Sequence, residues 1–184
     1  MVRHLPNLLT SLRIAAIPVM AWLACAGSKT AFGVLVMASL AGDIADGALA
    51  RMLRAVSPLG AQLDSAADTL LFFITIIGTL VFFPGDVRAH AVAFSIVPAA
   101  WLAETVAALI RYRRLSSFHT YLSRAGAVAM GIFVTVLFLR GMQPLLLYVA
   151  AGIVLLATLE ELLLLWRLPV WTPDVRGLWW VRRR

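Results

Sequence analysis

GAQLDSAADTLLFFITIIGTLVFF, residues 60–83, opens with two aspartates four positions apart and then runs almost without a polar side chain. A helix needs roughly 20 predominantly apolar residues to cross a bilayer, so this stretch reads as a membrane span with its acids at one end. Five other stretches have the same character, near 14–28, 31–50, 91–110, 125–140 and 144–166. With 62% hydrophobic and 14% charged residues among 184, the chain lies far from the balance of a water-soluble domain. The expectation is an all-α integral membrane fold with six transmembrane helices, forming a single domain over residues 1–184. An N-terminal interfacial segment is expected over 1–13 and an interfacial tail over 167–184. Asn7, Thr10 and Arg13 fit a retained segment better than a cleaved signal peptide. The tail mixes Trp171, Trp179 and Trp180 with Pro and Arg, a composition suited to the headgroup layer.

Orientation follows from the connections. With six spans and both ends on one side, that side collects Arg3, Arg13, Arg51, Arg54, Arg111, Arg113, Arg114, Arg124, Arg167, Arg176, Arg182, Arg183 and Arg184. The other side keeps Lys29, Arg88 and Arg140. Positive loops stay cytoplasmic, so both termini and the acids near Asp68 should face the cytoplasm, as in a bacterial inner membrane. The formal charge of +7 then reads as topology plus attraction to anionic headgroups, not as a nucleic-acid surface. Cys25 is the single cysteine; it excludes a disulfide within the chain and is read as packing.

Four of the nine acidic residues, Asp43, Asp46, Asp64 and Asp68, fall within residues 42–68. Carboxylates in or near hydrocarbon face a polar cavity, pair with cations or bind an ion. Asp43 and Asp46 are three apart and Asp64 and Asp68 four apart, so each pair projects from one face of a helix. The short connection after Arg51, with Ser57 and Pro58, makes the two helices antiparallel neighbours and brings both pairs to the same end. Carboxylate oxygens select a hard cation, Mg²⁺ or Mn²⁺, and the His and Cys pattern of a zinc site is missing. Gly42, Gly47, Gly60 and the alanines around the acids permit close approach of helices or of a nucleotide. Arg51 offers a planar fork suited to phosphate.

These residues carry a pattern. Asp43-x-x-Asp46-Gly47-x-x-Ala50-Arg51, eight further residues, then Gly60-x-x-x-Asp64-x-x-x-Asp68 matches every fixed position of the signature of the CDP-alcohol phosphotransferases. Pro6-Asn7-Leu8-Leu9-Thr10-x-x-Arg13 also resembles the opening of bacterial members, including phosphatidylglycerophosphate synthases. The resemblance implies an enzyme of phospholipid biosynthesis. It would move a phosphatidyl-type group from CDP-diacylglycerol to a small alcohol with release of CMP. It also implies metal binding by Asp43, Asp46 and Asp64, with Asp68 as general base and further metal contact, and probing of the nucleotide by Gly47, Ala50, Arg51 and Gly60. Two divalent ions and a homodimer follow from the same resemblance.

The acceptor is less defined. Residues 111–124 carry Arg111, Arg113, Arg114, His119 and Arg124, cations suited to an acceptor that bears its own phosphate; Arg111, His119 and Arg124 are the candidates, and Arg113 and Arg114 are read as loop topology. Asp64-Ser65-Ala66-Ala67-Asp68-Thr69 departs from the phosphatidylglycerophosphate synthase pattern and stands closer to serine- and inositol-lipid synthases. For Glu104, Glu160 and Glu161, helix packing or a dimer contact is as good an explanation as a substrate role. The alternative to an enzyme is an ion-coupled transporter whose intramembrane aspartates bind its ion.

Overall fold

The computed structural model describes residues 5–52, 58–113, 118, 120–170, 172 and 175–181, with the backbone alone at 5–7, 46–51, 58–59 and 61–62. Among the described residues seven α-helices follow one another: α1 Leu5–Cys25, α2 Lys29–Met52, α3 Pro58–Phe82, α4 Pro84–Ala89, α5 Ala91–Tyr112, α6 Tyr121–Arg140 and α7 Pro144–Arg167, with a 3₁₀ turn at Leu178–Trp180. Each of the six expected apolar stretches coincides with a long helix. Among the described residues, five are long and apolar enough to cross a membrane: Leu8–Cys25, Leu63–Phe82, Ala91–Tyr112, Tyr121–Arg140 and Pro144–Arg167. The sixth long helix, α2, has 24 residues and carries Asp43 and Asp46 near its end. Large apolar side chains such as Trp22, Ile110, Leu145 and Trp166 point outward from these helices, as they do where lipid rather than water is the solvent. The chain is an all-α integral membrane protein.

Residues 5–13 form the opening turns of the first long helix. Two of its polar residues, Thr10 and Arg13, are buried.

The described residues form two compact units, Met1–Val87 and Arg88–Arg184. In the first, α1 packs on both α2 and α3. Gly27, at φ +70°, turns the chain sharply from α1 into α2, a conformation that glycine adopts without cost. Met20, Phe32, Val36, Ala67, Leu71 and Ile74 are buried between these helices. The Phe32 ring lies against Gly78 so closely that a Cβ there would meet its Cζ at 2.2 Å, and it also tilts against Phe82 with centroids 5.3 Å apart. The Lys29 ammonium stands 4.0 Å from the centroid of the Phe83 ring.

In the second unit, α5 and α6 each pack on α7. Thr120 caps α6, its hydroxyl accepting from the Ser123 N–H at 3.0 Å, and Pro144 begins α7, where a missing N–H costs nothing. Gly126 lets α6 approach Val154 of α7. The segment after α7 packs back on the helices of this unit. Val175 is buried in a cluster with Ala108, Phe118, Leu164 and Leu165. The Tyr121 N–H donates to the Arg176 carbonyl at 3.1 Å, and the Leu178 N–H donates to Glu160 Oε1 at 3.0 Å. Trp179 and Trp180 remain exposed, as an interfacial role requires, but the stretch around them is tied into the helices.

Candidate metal and phosphate site

Three helices of the first unit bring charged side chains to one place. Arg13 comes from α1, Asp43 from α2, and Asp64 and Asp68 from the second and third turns of α3. The 3.6-residue period places Asp64 and Asp68 on one face, above and below each other. Arg13 Nη1 donates to Asp43 Oδ1 at 3.0 Å and to Asp64 Oδ1 at 3.2 Å, and Nη2 donates to Asp68 Oδ1 at 2.6 Å. The Arg13 side chain is only 6% exposed, whereas those of Asp43, Asp64 and Asp68 are 41%, 46% and 54% exposed. The guanidinium therefore forms the floor of the site and the carboxylates its open rim. Its stem crosses α2 at Gly42, where a Cβ would sit 3.4 Å from Arg13 Cδ; a larger side chain would push the stem away.

The rim suits a divalent cation. One oxygen from each of Asp43, Asp64 and Asp68 lies within 4.8 Å of the others, close enough that a slight inward turn of the carboxylates would let them share one hard ion, whose oxygen ligands stand at about 2.1 Å. The donor set is all carboxylate, which favours Mg²⁺ or Mn²⁺. These three expected ligands converge; the side chain of Asp46, the fourth, lies outside the described residues. So do those of Gly47's neighbours Ala50 and Arg51, although the α2 backbone runs helically through all of them to Met52. Gly60 lies in the first turn of α3, one turn before Asp64, and is half-buried.

Sequence reasoning missed the place of Arg13 among the acids, since it was read as a cytoplasmic charge and as part of the N-terminal resemblance. The available signal was an arginine within an apolar helix, which requires an anionic partner.

The residues considered for an acceptor are placed differently. Arg111 turns its guanidinium to the end of α7, with Nη2 donating to the carbonyls of Trp166 at 3.4 Å and Leu168 at 3.2 Å, carbonyls that the helix itself leaves without a partner. Tyr112 donates to the same Leu168 carbonyl at 2.7 Å. Arg124 is exposed in the first turn of α6. His119 and Arg114 lie outside the described residues. Glu161 is buried on α7 near Ser123 and Glu104.

Comparison with known proteins agrees with this chemistry. Over 80 residues the chain is 36% identical to "Cardiolipin synthase (CMP-forming)" of Streptomyces coelicolor, a match covering 40% of this chain and 37% of that protein. Over 72 residues it is 38% identical to "Putative cardiolipin synthase" of Mycobacterium tuberculosis, covering 39% of this chain and 34% of the relative. The matched stretch is thus about a third of the length of these curated relatives. No solved structure matches the chain significantly. Residues 3–171, nearly the whole chain and both compact units, match the CDP-alcohol phosphatidyltransferase family, and the chain belongs to that family.

Proposed function

We propose that the protein transfers a phosphatidyl-type group from CDP-diacylglycerol to a small alcohol, releasing CMP, and that residues 1–184 act as a single catalytic domain in doing so. The observation that carries this reading is the convergence of Asp43, Asp64 and Asp68 from two helices within 4.8 Å, in a chain whose family match spans both units. Asp43, Asp46 and Asp64 hold the ion or ions, Mg²⁺ or Mn²⁺, two being the family's expectation. When bound, the cation neutralises the pyrophosphate and the departing phosphate of CMP. Asp68, the most exposed of the three described acids, accepts the proton of the incoming hydroxyl. Gly47, Ala50, Arg51 and Gly60 are assigned to nucleotide recognition, with the donor's acyl chains in the bilayer. Both termini and the site face the cytoplasm of a bacterial inner membrane. A homodimer remains part of the proposal.

The transporter alternative has no supporting observation beyond the acids themselves. The relatives' printed names point to cardiolipin formation with CMP release, which makes a lipid-borne alcohol a further acceptor to test. The deciding experiment measures CMP release in nanodiscs containing CDP-diacylglycerol and Mn²⁺. The acceptors are glycerol 3-phosphate, inositol phosphate, serine and phosphatidylglycerol. Release with one acceptor and its loss on chelation is the expected result; no release with any acceptor would overturn the reading.

A further inference from the structure

The site holds a charge of its own sign-matched design that the transfer reaction does not by itself require. Asp43, Asp64 and Asp68 supply three negative charges and Arg13 one positive charge, all joined by hydrogen bonds of 2.6 to 3.2 Å. Among the described side chains the carboxylates outnumber the guanidinium, which leaves a net negative charge to attract a divalent cation. Arg13 is buried beneath the acids and wedged along Gly42, so it stays close to any cation that enters from the open rim. A guanidinium does not lose its proton, and its repulsion of an arriving cation cannot be titrated away.

We infer that Arg13 is a resident counter-cation that makes metal loading conditional on the donor. Without donor, Arg13 holds the acids together and weakens their hold on a divalent ion. The arriving pyrophosphate brings the negative charge that offsets Arg13, and metal and donor then bind with mutual enhancement, as linkage between two ligands demands. This keeps the acids from collecting cations at idle and prevents them from repelling one another while empty. The inference rests on the metal-dependent transfer proposed above.

The test measures Mn²⁺ binding by electron paramagnetic resonance on the full chain in nanodiscs, with and without CDP-diacylglycerol and with no acceptor present. For the unaltered protein, donor should tighten Mn²⁺ binding about tenfold, within the usual range of coupling between sites. Arg13→Gln should bind Mn²⁺ without donor at least about tenfold more tightly than the unaltered protein, since a unit charge some 3 Å from the ligands is removed, and donor should then add less than about threefold. Arg13→Lys keeps the charge and should retain the donor effect, which keeps the inference testable if the Gln variant does not fold. Unchanged or weaker Mn²⁺ binding by Arg13→Gln, a full donor effect in that variant, or loss of the effect in Arg13→Lys would overturn the inference. So would the lack of a donor effect in the unaltered protein. In each of these cases the metal-dependent reading stands. If the unaltered protein binds no Mn²⁺ under any condition, that reading falls and this inference with it.

Discussion

Asp68 makes the shortest of the Arg13 contacts, at 2.6 Å, yet its side chain is the most exposed of the three acids. That combination suits a group held in place from below while one oxygen faces the incoming hydroxyl. Asp68→Asn keeps an oxygen for Arg13 and so preserves the local geometry, but removes the proton acceptor. CMP release should fall by about 10²- to 10⁴-fold, the usual contribution of a placed base, with Mn²⁺-dependent donor binding retained. Asp43→Asn and Asp64→Asn remove charge from the rim and should weaken Mn²⁺ and donor binding together. Binding and turnover measured side by side separate the two classes, and near-normal turnover by Asp68→Asn would end its assignment as base. The acid cluster was legible in the sequence because acids are scarce in an apolar chain and their three- and four-residue spacings survive translation into a helix. The role of Arg13 was not, because its partners lie 30, 51 and 55 residues away and only the packing of α1 on α2 and α3 brings them together.

At the level of the helices, two glycines of similar appearance should behave in opposite ways. Gly78 of α3 lies under the buried Phe32 ring at a distance no Cβ could share. Gly78→Ala should therefore destabilise the first unit by about 1–3 kcal/mol, the usual cost of overpacking. Gly152 of α7 has nothing within 4 Å of a built Cβ, so Gly152→Ala should be neutral or stabilising by up to about 1 kcal/mol through reduced chain entropy. Thermal midpoints in detergent would compare them; equal midpoints would refute the packing described for Phe32. The segment after α7 offers a second contrast. Gly177 has φ +151°, and a Cβ there would meet Glu160 Oε1 at 2.9 Å, so Gly177→Ala and Glu160→Ala break the same latch to Leu178. Each should lower the midpoint, and the double variant should lose less than the sum, as expected for partners in one contact. Additive losses would show two independent effects. The long helices could be read from apolar runs alone. The latch could not, since Val175 and Gly177 stand isolated among Arg, Pro and Trp, and nothing local announces that they meet α5 and α7.

For the whole molecule, the asymmetry of Arg and Lys predicts on which side each connection lies. With Cys25 replaced by Ala, single cysteines at Ser28 and Met142 should react with an impermeant maleimide added outside intact cells. Cysteines at Met52 and Arg113 should react only after the membrane is opened. The opposite labelling of any of these positions would revise the six-span arrangement. The expectation draws on the loop charges, and the helices support it to this extent: the connections at Ser28 and Met142 each separate two long helices, α1 from α2 and α6 from α7.

The burial of Arg13 also has a bearing on how the protein is made. Helices enter the membrane in the order of synthesis, and α1 carries its arginine in ahead of every acid that neutralises it. An uncompensated arginine in a span costs about 2.5–3.5 kcal/mol on insertion scales, less where it can snorkel toward an interface. Arg13 lies in the N-terminal half of α1, near enough to the membrane surface to wait there with its charge in the headgroups. Asp43 of α2 is its first described partner to follow, and the set is complete only once residue 68 has emerged. The first unit thus matures as a three-helix event, with the assembly of its active site and the final seating of its first helix as one step.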